Sequence, residues 1–215
     1  MKLFDCHTHN LHSSYPALLN WFVNKSIPET KNFLSLGMHP LDLRDGIIPE
    51  VLEQMRYCLQ TYPQIKAIGE VGLDKRSIYP VQKQCEFLES VLSLAEKYEL
   101  PVILHCVKCY DQLIALRRCH TSLPLILHGF RGKESLAEML WNFNFIFSFG
   151  SYGEYSTSFL QKSIFFIETD EGKEEMLLSN YSRFSKMSSM SVEELAQRIA
   201  QRVKEVFKIE LDTQK

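Results

Sequence analysis

The chain has 215 residues, of which 45% are hydrophobic and 23% charged, and this is the composition of a soluble globular protein. No run of residues approaches the roughly 18 apolar residues that a membrane span needs, so a membrane protein is excluded. The net charge of -2 provides no overall basic surface for nucleic acid, and any nucleic-acid role must be local to a site.

The length predicts one domain over residues 1–215. A chain of this length buries a core large enough to be stable without disulfides or structural metals. The first residues have no apolar segment ahead of a small-residue cleavage site, so we expect a cytoplasmic protein. The six cysteines are then expected to be reduced thiols. Cys106 and Cys109 have CxxC spacing, but their position at a strand-to-helix junction is not typical of a redox or zinc-thiolate pair.

Short β-branched or aromatic runs alternate along the chain with longer amphipathic stretches. The runs predict seven strands, at residues 2–6, 32–37, 66–71, 102–106, 123–128, 145–149 and 164–169. The longest predicted helix is 81–98, and Ser191 with Glu194 predicts a capping box that opens a final helix to about Phe207. This alternation predicts a parallel sheet buried on both faces, either a barrel or a doubly wound sheet.

Ionisable side chains stand at the C-terminal ends of the predicted strands. His7 and His9 end the first strand, where a spacing of two residues points both imidazoles to the same face. The second, third, fourth, fifth and seventh strands are followed by His39, Glu70, His105, His128 and Asp170 respectively. In a parallel barrel all of these ends meet on one face, so we expect a single polar site there.

Four imidazoles and two carboxylates buried together predict a metal centre, because without a cation they would leave costly uncompensated polar groups. Nitrogen and oxygen donors together suit Zn, Mn, Fe or Co, and Mg is retained as a further candidate. Six donors exceed what one tetrahedral ion needs, and a carboxylate such as Glu70 can bridge two ions. We therefore expect two divalent metal ions that activate a hydroxide for hydrolysis.

Six motifs that contain these residues occur in order between residues 3 and 170. They are DCHTH at 5–9, GMHP at 37–40, GEVGLD at 69–74, LPVILH at 100–105, LHGFRG at 127–132 and ETD at 168–170. Together they resemble the successive motifs of the TatD family of metal-dependent deoxyribonucleases. The resemblance implies a distorted TIM-type parallel β/α barrel, as in amidohydrolases, and hydrolysis of DNA.

The resemblance also implies roles for individual residues. The implied metal ligands are His7, His9, Glu70, His105, His128 and Asp170. Glu70 would bridge the two ions, and Asp170 would bind one of them and orient or deprotonate the attacking water.

Two segments depart from the family pattern. Residues 10–36 are too few for the further strand and helix that the family usually has there, so we predict a barrel of seven strands with one βα unit missing. Segment 171–175 reads EGKEE where the family usually has a basic loop that helps to hold the phosphate of the substrate. Each exposed carboxylate in this segment is expected to repel a polyanion by on the order of 1 kcal/mol.

Substrate contacts are predicted at His39, Lys108 and Arg131, which lie just beyond strand ends and could meet phosphate oxygens. Tyr152 and Tyr155 follow the sixth predicted strand, where an aromatic ring either stacks on a base or packs against the barrel rim. The predicted reaction is hydrolysis of a phosphoester, with DNA or a small phosphoester as the substrate.

Two alternatives remain open. The same metal site could hydrolyse a small ester, lactone or amide, and the acidic segment 171–175 favours such a neutral substrate. A metal-binding barrel without turnover could instead serve as an interaction module through its mouth. The presence of all six coordinating residues argues against this second alternative.

Overall fold

A parallel barrel forms the centre of the computed structural model, which describes residues 2–211. Within this range eight strands lie side by side in chain order, and each is parallel to the next. The strands are β1 (Asp5–Thr8), β2 (Ala17–Phe22), β3 (Phe33–Gly37), β4 (Ile65–Asp74), β5 (Val102–Val107), β6 (Leu125–Leu127), β7 (Phe145–Phe149) and β8 (Phe165–Ile167).

Seven helices occur in the same described range, and the first follows β3. They are α1 (Ile48–Thr61), α2 (Val81–Tyr98), α3 (Tyr110–Cys119), α4 (Glu134–Asn142), α5 (Thr157–Lys162), α6 (Glu175–Ser188) and α7 (Val192–Phe207). None of the helices between residues 2 and 211 has both the length and the apolar composition needed to cross a bilayer.

The barrel closes between β8 and β1 through the backbone of Asp170. The Asp170 N–H donates to the carbonyl of His7 at 2.9 Å, and the His9 N–H donates to the carbonyl of Asp170 at 3.0 Å. Thr8 and Asp170 form a parallel bridge at this seam. Closure therefore places the two ends of the strand order next to each other.

The expected β/α barrel is confirmed, but the expected count of seven strands is corrected to eight. The additional strand is β2, which pairs with β3 from Leu18 opposite Phe33 to Phe22 opposite Gly37. The described segment between β1 and β3 holds this strand but no helix before or after it. A strand of about six residues at 3.3 Å each is long enough to span the barrel. Segment 10–36 can therefore be short and still provide β2, because it contains no helix.

The core lies on both sides of the barrel wall, as the continuous apolar strands predict. Strand residues such as Ile103 and Leu104 are fully buried, and Phe87, Leu88 and Val91 cover the sheet from α2. The predicted helix Val81–Tyr98 is confirmed with the same bounds.

Two further sequence predictions concern the last helix and the cysteines. The predicted capping box of Ser191 and Glu194 is confirmed at the start of α7, which ends at Phe207. All six cysteines are free thiols. Burial raises the pKa of the Cys106 thiol to about 12, so this group is protonated at neutral pH.

An ion-pair cluster around the buried ring of His120 joins α2 to the end of α3. His120 is 4% exposed, and its ring nitrogens lie 3.0 Å from Glu89 Oε1 and 2.9 Å from Glu96 Oε1. Burial alone would lower the pKa of His120, but the two carboxylates outweigh it and raise the pKa above 6.5. The imidazolium form is therefore favoured in the folded state.

This raised pKa predicts that the contribution of His120 to stability decreases as the pH rises. The contribution is fully present below the unfolded-state pKa near 6.5 and is lost as the pH passes the higher folded-state pKa. Both carboxylates are partly exposed, so we expect His120→Gln to cost about 1 kcal/mol at pH 5.5 and less at pH 9. Urea unfolding in the presence of a chelator measures both differences, and equal differences would contradict the prediction.

Candidate metal centre

Seven polar side chains meet at the mouth of the barrel that the C-terminal strand ends form. They are His7 in β1, His9 directly after β1, His39 after β3, Glu70 in β4, His105 in β5, His128 after β6 and Asp170 after β8. They come from most of the length of the chain. Most of them follow one rule, since side chains at the ends of parallel strands point into one bowl, whereas Glu70 lies within β4, four residues before its end.

Glu70 lies at the centre of this cluster, with each carboxylate oxygen facing different histidines. Its Oε1 lies 2.8 Å from His105 Nδ1, 2.8 Å from His128 Nε2 and 3.4 Å from His39 Nε2. Its Oε2 lies 3.7 Å from the Nε2 atoms of both His7 and His9. The carboxylate therefore connects two separate groups of ring nitrogens.

Asp170 faces Glu70 across the first pair of histidines. Its Oδ1 lies 3.7 Å from His7 Nε2 and 3.7 Å from His9 Nε2. The Asp170 side chain is 30% exposed, whereas that of Glu70 is 5% exposed. Asp170 is thus the carboxylate of the cluster that solvent or a substrate reaches.

Several of these donors have the spacing of metal ligands rather than that of hydrogen-bonded groups. Three groups have donor atoms within 4.8 Å of one another, namely His7 with His128 and Asp170, His7 with His9 and Glu70, and His39 with Glu70 and His105. Two ligands that are each about 2.1 Å from a tetrahedral ion lie about 3.4 Å apart. The separations of 3.7 Å around His7 and of 3.4 Å between His39 and Glu70 are near this spacing and exceed a normal hydrogen bond, whereas the 2.8 Å contact of Glu70 with His105 is a hydrogen-bond distance.

His7 gives an independent reason to expect a cation. Its side chain is completely buried, and neither ring nitrogen has a hydrogen-bond partner. Buried polar groups in proteins are normally satisfied, and an orphaned imidazole is costly. Burial, and then the neighbouring His128, lower the pKa of His7 well below 6.5, so the ring is held in the neutral form that metals bind.

Glu70 requires positive charge near its Oε1. Burial would raise the pKa of Glu70, but His128 and His105 outweigh it and keep the pKa far below its usual range. The pKa of His128 is raised in return, because Glu70 and Glu168 outweigh the effect of burial. Either a protonated His128 or a cation therefore balances the Glu70 carboxylate.

Two acidic residues lie behind the histidines, and one of them is hydrogen-bonded to a ring. Asp74 Oδ2 lies 3.0 Å from His105 Nε2, which turns Nδ1 of that ring toward Glu70. Glu168 Oε1 lies 3.6 Å from His128 Nδ1. A hydrogen-bonded carboxylate such as that of Asp74 fixes the tautomer of a ligating histidine, whereas the separation between Glu168 and His128 exceeds a hydrogen bond.

Arg76 holds Asp74 in place, with its Nη2 2.6 Å from Asp74 Oδ2. Although burial acts in the opposite direction, Arg76 and His105 hold the pKa of Asp74 below its usual range. Asp74 and Glu168 belong to motifs recognised in the sequence, but sequence reasoning assigned them no role. The signal that could have identified both residues was their position, since each is an acidic residue in or next to a strand that already carried a candidate ligand.

The strand that was not predicted also contributes to the site. Asn20 in β2 accepts a hydrogen bond from the Glu70 N–H at 2.7 Å and one from Ser35 Oγ at 3.4 Å. The ring of Phe22 lies 5.8 Å from that of His9 and 6.1 Å from that of His39, measured between centroids. β2 therefore anchors Glu70 and packs against two candidate ligands.

The three residues predicted to contact substrate occupy two different positions. His39 lies inside the cluster, with Nε2 3.4 Å from both Glu70 Oε1 and His105 Nδ1, so it belongs among the candidate ligands. Lys108 and Arg131 are exposed and line one cleft together with Arg76, His105, His128 and Asp170. We call this the basic cleft.

The acidic segment lies on another side of the mouth. Glu171, Glu174 and Glu175 line a second cleft with His9 and His12. Glu174 accepts hydrogen bonds from the Ser14 N–H, at 3.2 Å, and from Ser14 Oγ, so part of its charge is directed toward the β1–β2 loop. The charge of the mouth is therefore asymmetric.

Comparison with known proteins places the chain near one family. The model of the family described as TatD related DNase matches residues 23–208. The "Uncharacterized metal-dependent hydrolase YjjV" of Escherichia coli K12 is 35% identical over 111 residues, which cover 49% of this chain and 42% of that protein. The "3'-5' ssDNA/RNA exonuclease TatD" of Klebsiella pneumoniae 342 is 37% identical over 102 residues, which cover 46% of this chain and 38% of that protein. Each match spans less than half the length of the curated relative.

A solved structure agrees with the chain over nearly its whole length. The crystal structure of YJJV, described as a TatD homolog from Escherichia coli K12, matches with a TM-score of 0.77 at 20% identity. The match covers 96% of this chain and 98% of that one. At this identity the likeness shows the barrel fold alone.

The anchor on Glu70 predicts a measurable loss of stability. Asn20→Ala leaves the buried Glu70 N–H without an acceptor, so we expect the free energy of unfolding to decrease by about 1–3 kcal/mol. Ser35→Ala is the matched control, because it removes only the longer bond to the same Asn20 oxygen and should cost less. Urea titration of both variants checks this, and equal losses would contradict the anchoring role.

Proposed function

The chain belongs to the TatD family, and we propose that it is a metal-dependent hydrolase that cleaves phosphodiester bonds in DNA. The observation that carries the proposal is the position of Glu70, whose two oxygens face separate groups of histidine nitrogens. A shared carboxylate of this kind suits two divalent ions near each other. We further propose that residues 1–215 act as one hydrolase domain and that the protein is cytoplasmic.

The proposed ligands divide between the two oxygens of Glu70. His7, His9 and Asp170 stand on the Oε2 side, and His105 and His128 stand on the Oε1 side. His39 is also on the Oε1 side and is proposed either as a further ligand or as a contact for a phosphate oxygen. Nitrogen-rich donor groups favour Zn, Mn, Fe or Co over Mg for these two ions.

The reaction that we propose is an attack of water on phosphorus, in which the new P–O bond forms, one P–O ester bond of the phosphodiester breaks and the leaving sugar oxygen takes up a proton from solvent. Bound divalent ions supply Lewis-acid activation of the water and neutralise charge on the phosphate. Asp170 is proposed to orient the attacking water and accept its proton, because its carboxylate is the more exposed of the two at the cluster. Arg131 and Lys108 hold phosphate oxygens at the edge of the basic cleft.

Three cationic side chains in one cleft beside the cluster support a polyanionic substrate. The name of the Klebsiella relative, an exonuclease for single-stranded DNA and RNA, is consistent with such a substrate. The acidic cleft at His9 supports a second candidate, hydrolysis of a small neutral ester, lactone or amide. Assays on single-stranded DNA beside a panel of such small compounds distinguish the two candidates.

The two carboxylates of the cluster are predicted to be essential for activity. Glu70→Gln and Asp170→Asn should each lower metal-dependent hydrolysis of a single-stranded oligonucleotide by about a thousandfold or more, because each removes a negatively charged donor. Calorimetric titration with Zn²⁺ or Mn²⁺ should show weaker metal binding for Glu70→Gln. Circular dichroism should show an intact fold.

The matched controls are Glu50→Gln and Asp111→Asn, which make the same chemical changes in the first turns of α1 and α3. Both controls should keep full activity. Unchanged turnover in Glu70→Gln or Asp170→Asn would contradict the proposed roles. Full metal binding without hydrolysis of any compound in the unsubstituted protein would favour the non-catalytic interaction module.

The basic cleft predicts a dependence of activity on salt. Each phosphate contact on a single strand contributes a slope of about 0.7 in a plot of log affinity against log salt concentration. Lys108→Gln and Arg131→Gln should therefore lower kcat/KM for DNA about tenfold at low salt, and each should reduce the slope by about 0.7.

Lys97→Gln is the control for charge alone, since Lys97 lies in the last turn of α2, away from the mouth. This variant should retain both the rate and the slope of the unsubstituted protein. If Lys97→Gln changed the slope as much as the two cleft variants, the effect would reflect net charge and the assignment of the basic cleft would be wrong.

A further inference from the structure

A third cleft opens beside Asp170, and the reaction proposed above does not use it. Its lining includes Tyr152, Met176, Gly150 and Arg131 together with Asp170. Tyr152 stands in the loop after β7 and is 61% exposed. We call this the Tyr152 cleft.

Arg131 and Tyr152 form a stacked pair at the edge of this cleft. The guanidinium carbon of Arg131 lies 4.7 Å from the centroid of the Tyr152 ring. A guanidinium over an aromatic face is a cation–π contact, which restrains a ring that is otherwise exposed. The tyrosine ring is therefore positioned although little of it is buried.

Tyr155 shows by contrast that Tyr152 is not required for the packing of the rim. Tyr155 is 6% exposed, and its ring centroid lies 4.6 Å from that of Phe149. Its hydroxyl donates to the carbonyl of Gly132 at 3.2 Å. Of the two aromatic residues in this loop, Tyr155 packs into the barrel wall and Tyr152 remains available to a ligand.

The Tyr152 cleft suits a flat group better than a phosphate. Met176, 37% exposed, adds apolar surface, while the carboxylate of Glu171 in the same lining disfavours an anion. At Gly150 an added Cβ would have only Glu168 as a neighbour, at 3.9 Å, so the glycine leaves open space. A planar nucleobase fits an aromatic ring and a thioether of this kind.

The Tyr152 cleft and the basic cleft meet at the reacting position. Gly129, Arg131 and Asp170 line both of them. A nucleotide whose phosphate lies at Asp170 therefore has phosphate contacts on one side and an aromatic surface on the other. This continuity links base binding to the site of hydrolysis.

We propose that the Tyr152 cleft is a nucleobase subsite, in which Tyr152 stacks on the base of the nucleotide whose phosphate lies at Asp170. The position of the phosphate rests on the proposed function, whereas binding of the base is a separate property of the cleft. The subsite makes the protein select nucleotides over phosphoesters that have no base.

Binding of two ligands with the same phosphate and sugar tests the subsite. Thymidine 5′-monophosphate and 2-deoxyribose 5-phosphate are titrated calorimetrically into the metal-supplemented full chain. Stacking on one aromatic ring predicts that the nucleotide binds about tenfold or more tightly than the sugar phosphate. Tyr152→Ala should bind the two ligands with about equal affinity, and Tyr152→Phe should keep the preference for the nucleotide.

Two further variants make the test specific. Gly150→Leu fills the cleft without changing Tyr152 and should also remove the preference for the nucleotide. Tyr57→Ala is the matched control, because Tyr57 on α1 is 62% exposed and should leave the preference unchanged. Equal binding of the two ligands to the unsubstituted protein, or an undiminished preference in Tyr152→Ala, would overturn the proposal.

A kinetic measurement separates this proposal from the proposed function. Oligonucleotides with a normal or an abasic terminal nucleotide are hydrolysed by the unsubstituted protein and by Tyr152→Ala. The substitution should lower kcat/KM about tenfold for the normal substrate and leave the abasic one unchanged. Equal losses on both substrates would overturn the subsite. A base preference in binding without hydrolysis of any oligonucleotide would leave the subsite standing and refute the proposed function.

Discussion

The buried carboxylate of Glu70 is the constraint around which the mouth of the barrel is arranged. A carboxylate that is 4% exposed is stable only when hydrogen-bond donors and positive charge surround it. Histidines from β5 and the end of β6 approach one oxygen, and the two histidines of the first motif approach the other. Because Glu70 has two such neighbourhoods, the same residue explains both the number of histidines and their division into groups.

The closure of the barrel and the assembly of this site depend on the same residue. The backbone of Asp170 joins the last strand position to the first strand, while its carboxylate faces His7 and His9. A shift at this seam would move the carboxylate relative to both imidazoles. The fold therefore controls the separation of the candidate ligands directly, which is the property that a metal centre needs in order to be preorganised.

Periodicity was sufficient to predict a parallel sheet with a polar cluster at its strand ends, whereas the barrel and the six candidate ligands were implied by the resemblance of the motifs to the TatD family. Apolar runs mark the strands, and an ionisable residue at or just after the end of six of the seven predicted runs marks the mouth. β2 was missed because no helical stretch separates it from its neighbours, so the alternation used to recognise βα units is absent there. Asn20 could not be assigned without that strand. The roles of Asp74 and Glu168 depend on which ring nitrogen each faces, and periodicity does not determine this geometry.

The acidic segment has a different meaning in three dimensions from the one it has in the sequence. From the sequence alone, the segment EGKEE next to Asp170 predicts repulsion of a polyanionic substrate. In the folded protein Glu174 and Glu175 lie at the His9 side of the mouth, and Glu171 lines both that side and the Tyr152 cleft. Glu174 accepts a hydrogen bond from Ser14, whereas Arg76, Lys108 and Arg131 line another cleft. Fields of opposite sign across one opening orient a charged chain rather than exclude it. If the substrate is the nucleic acid proposed above, its strand is expected to approach from the basic cleft, and the acidic side limits how far its phosphates extend beyond the cluster.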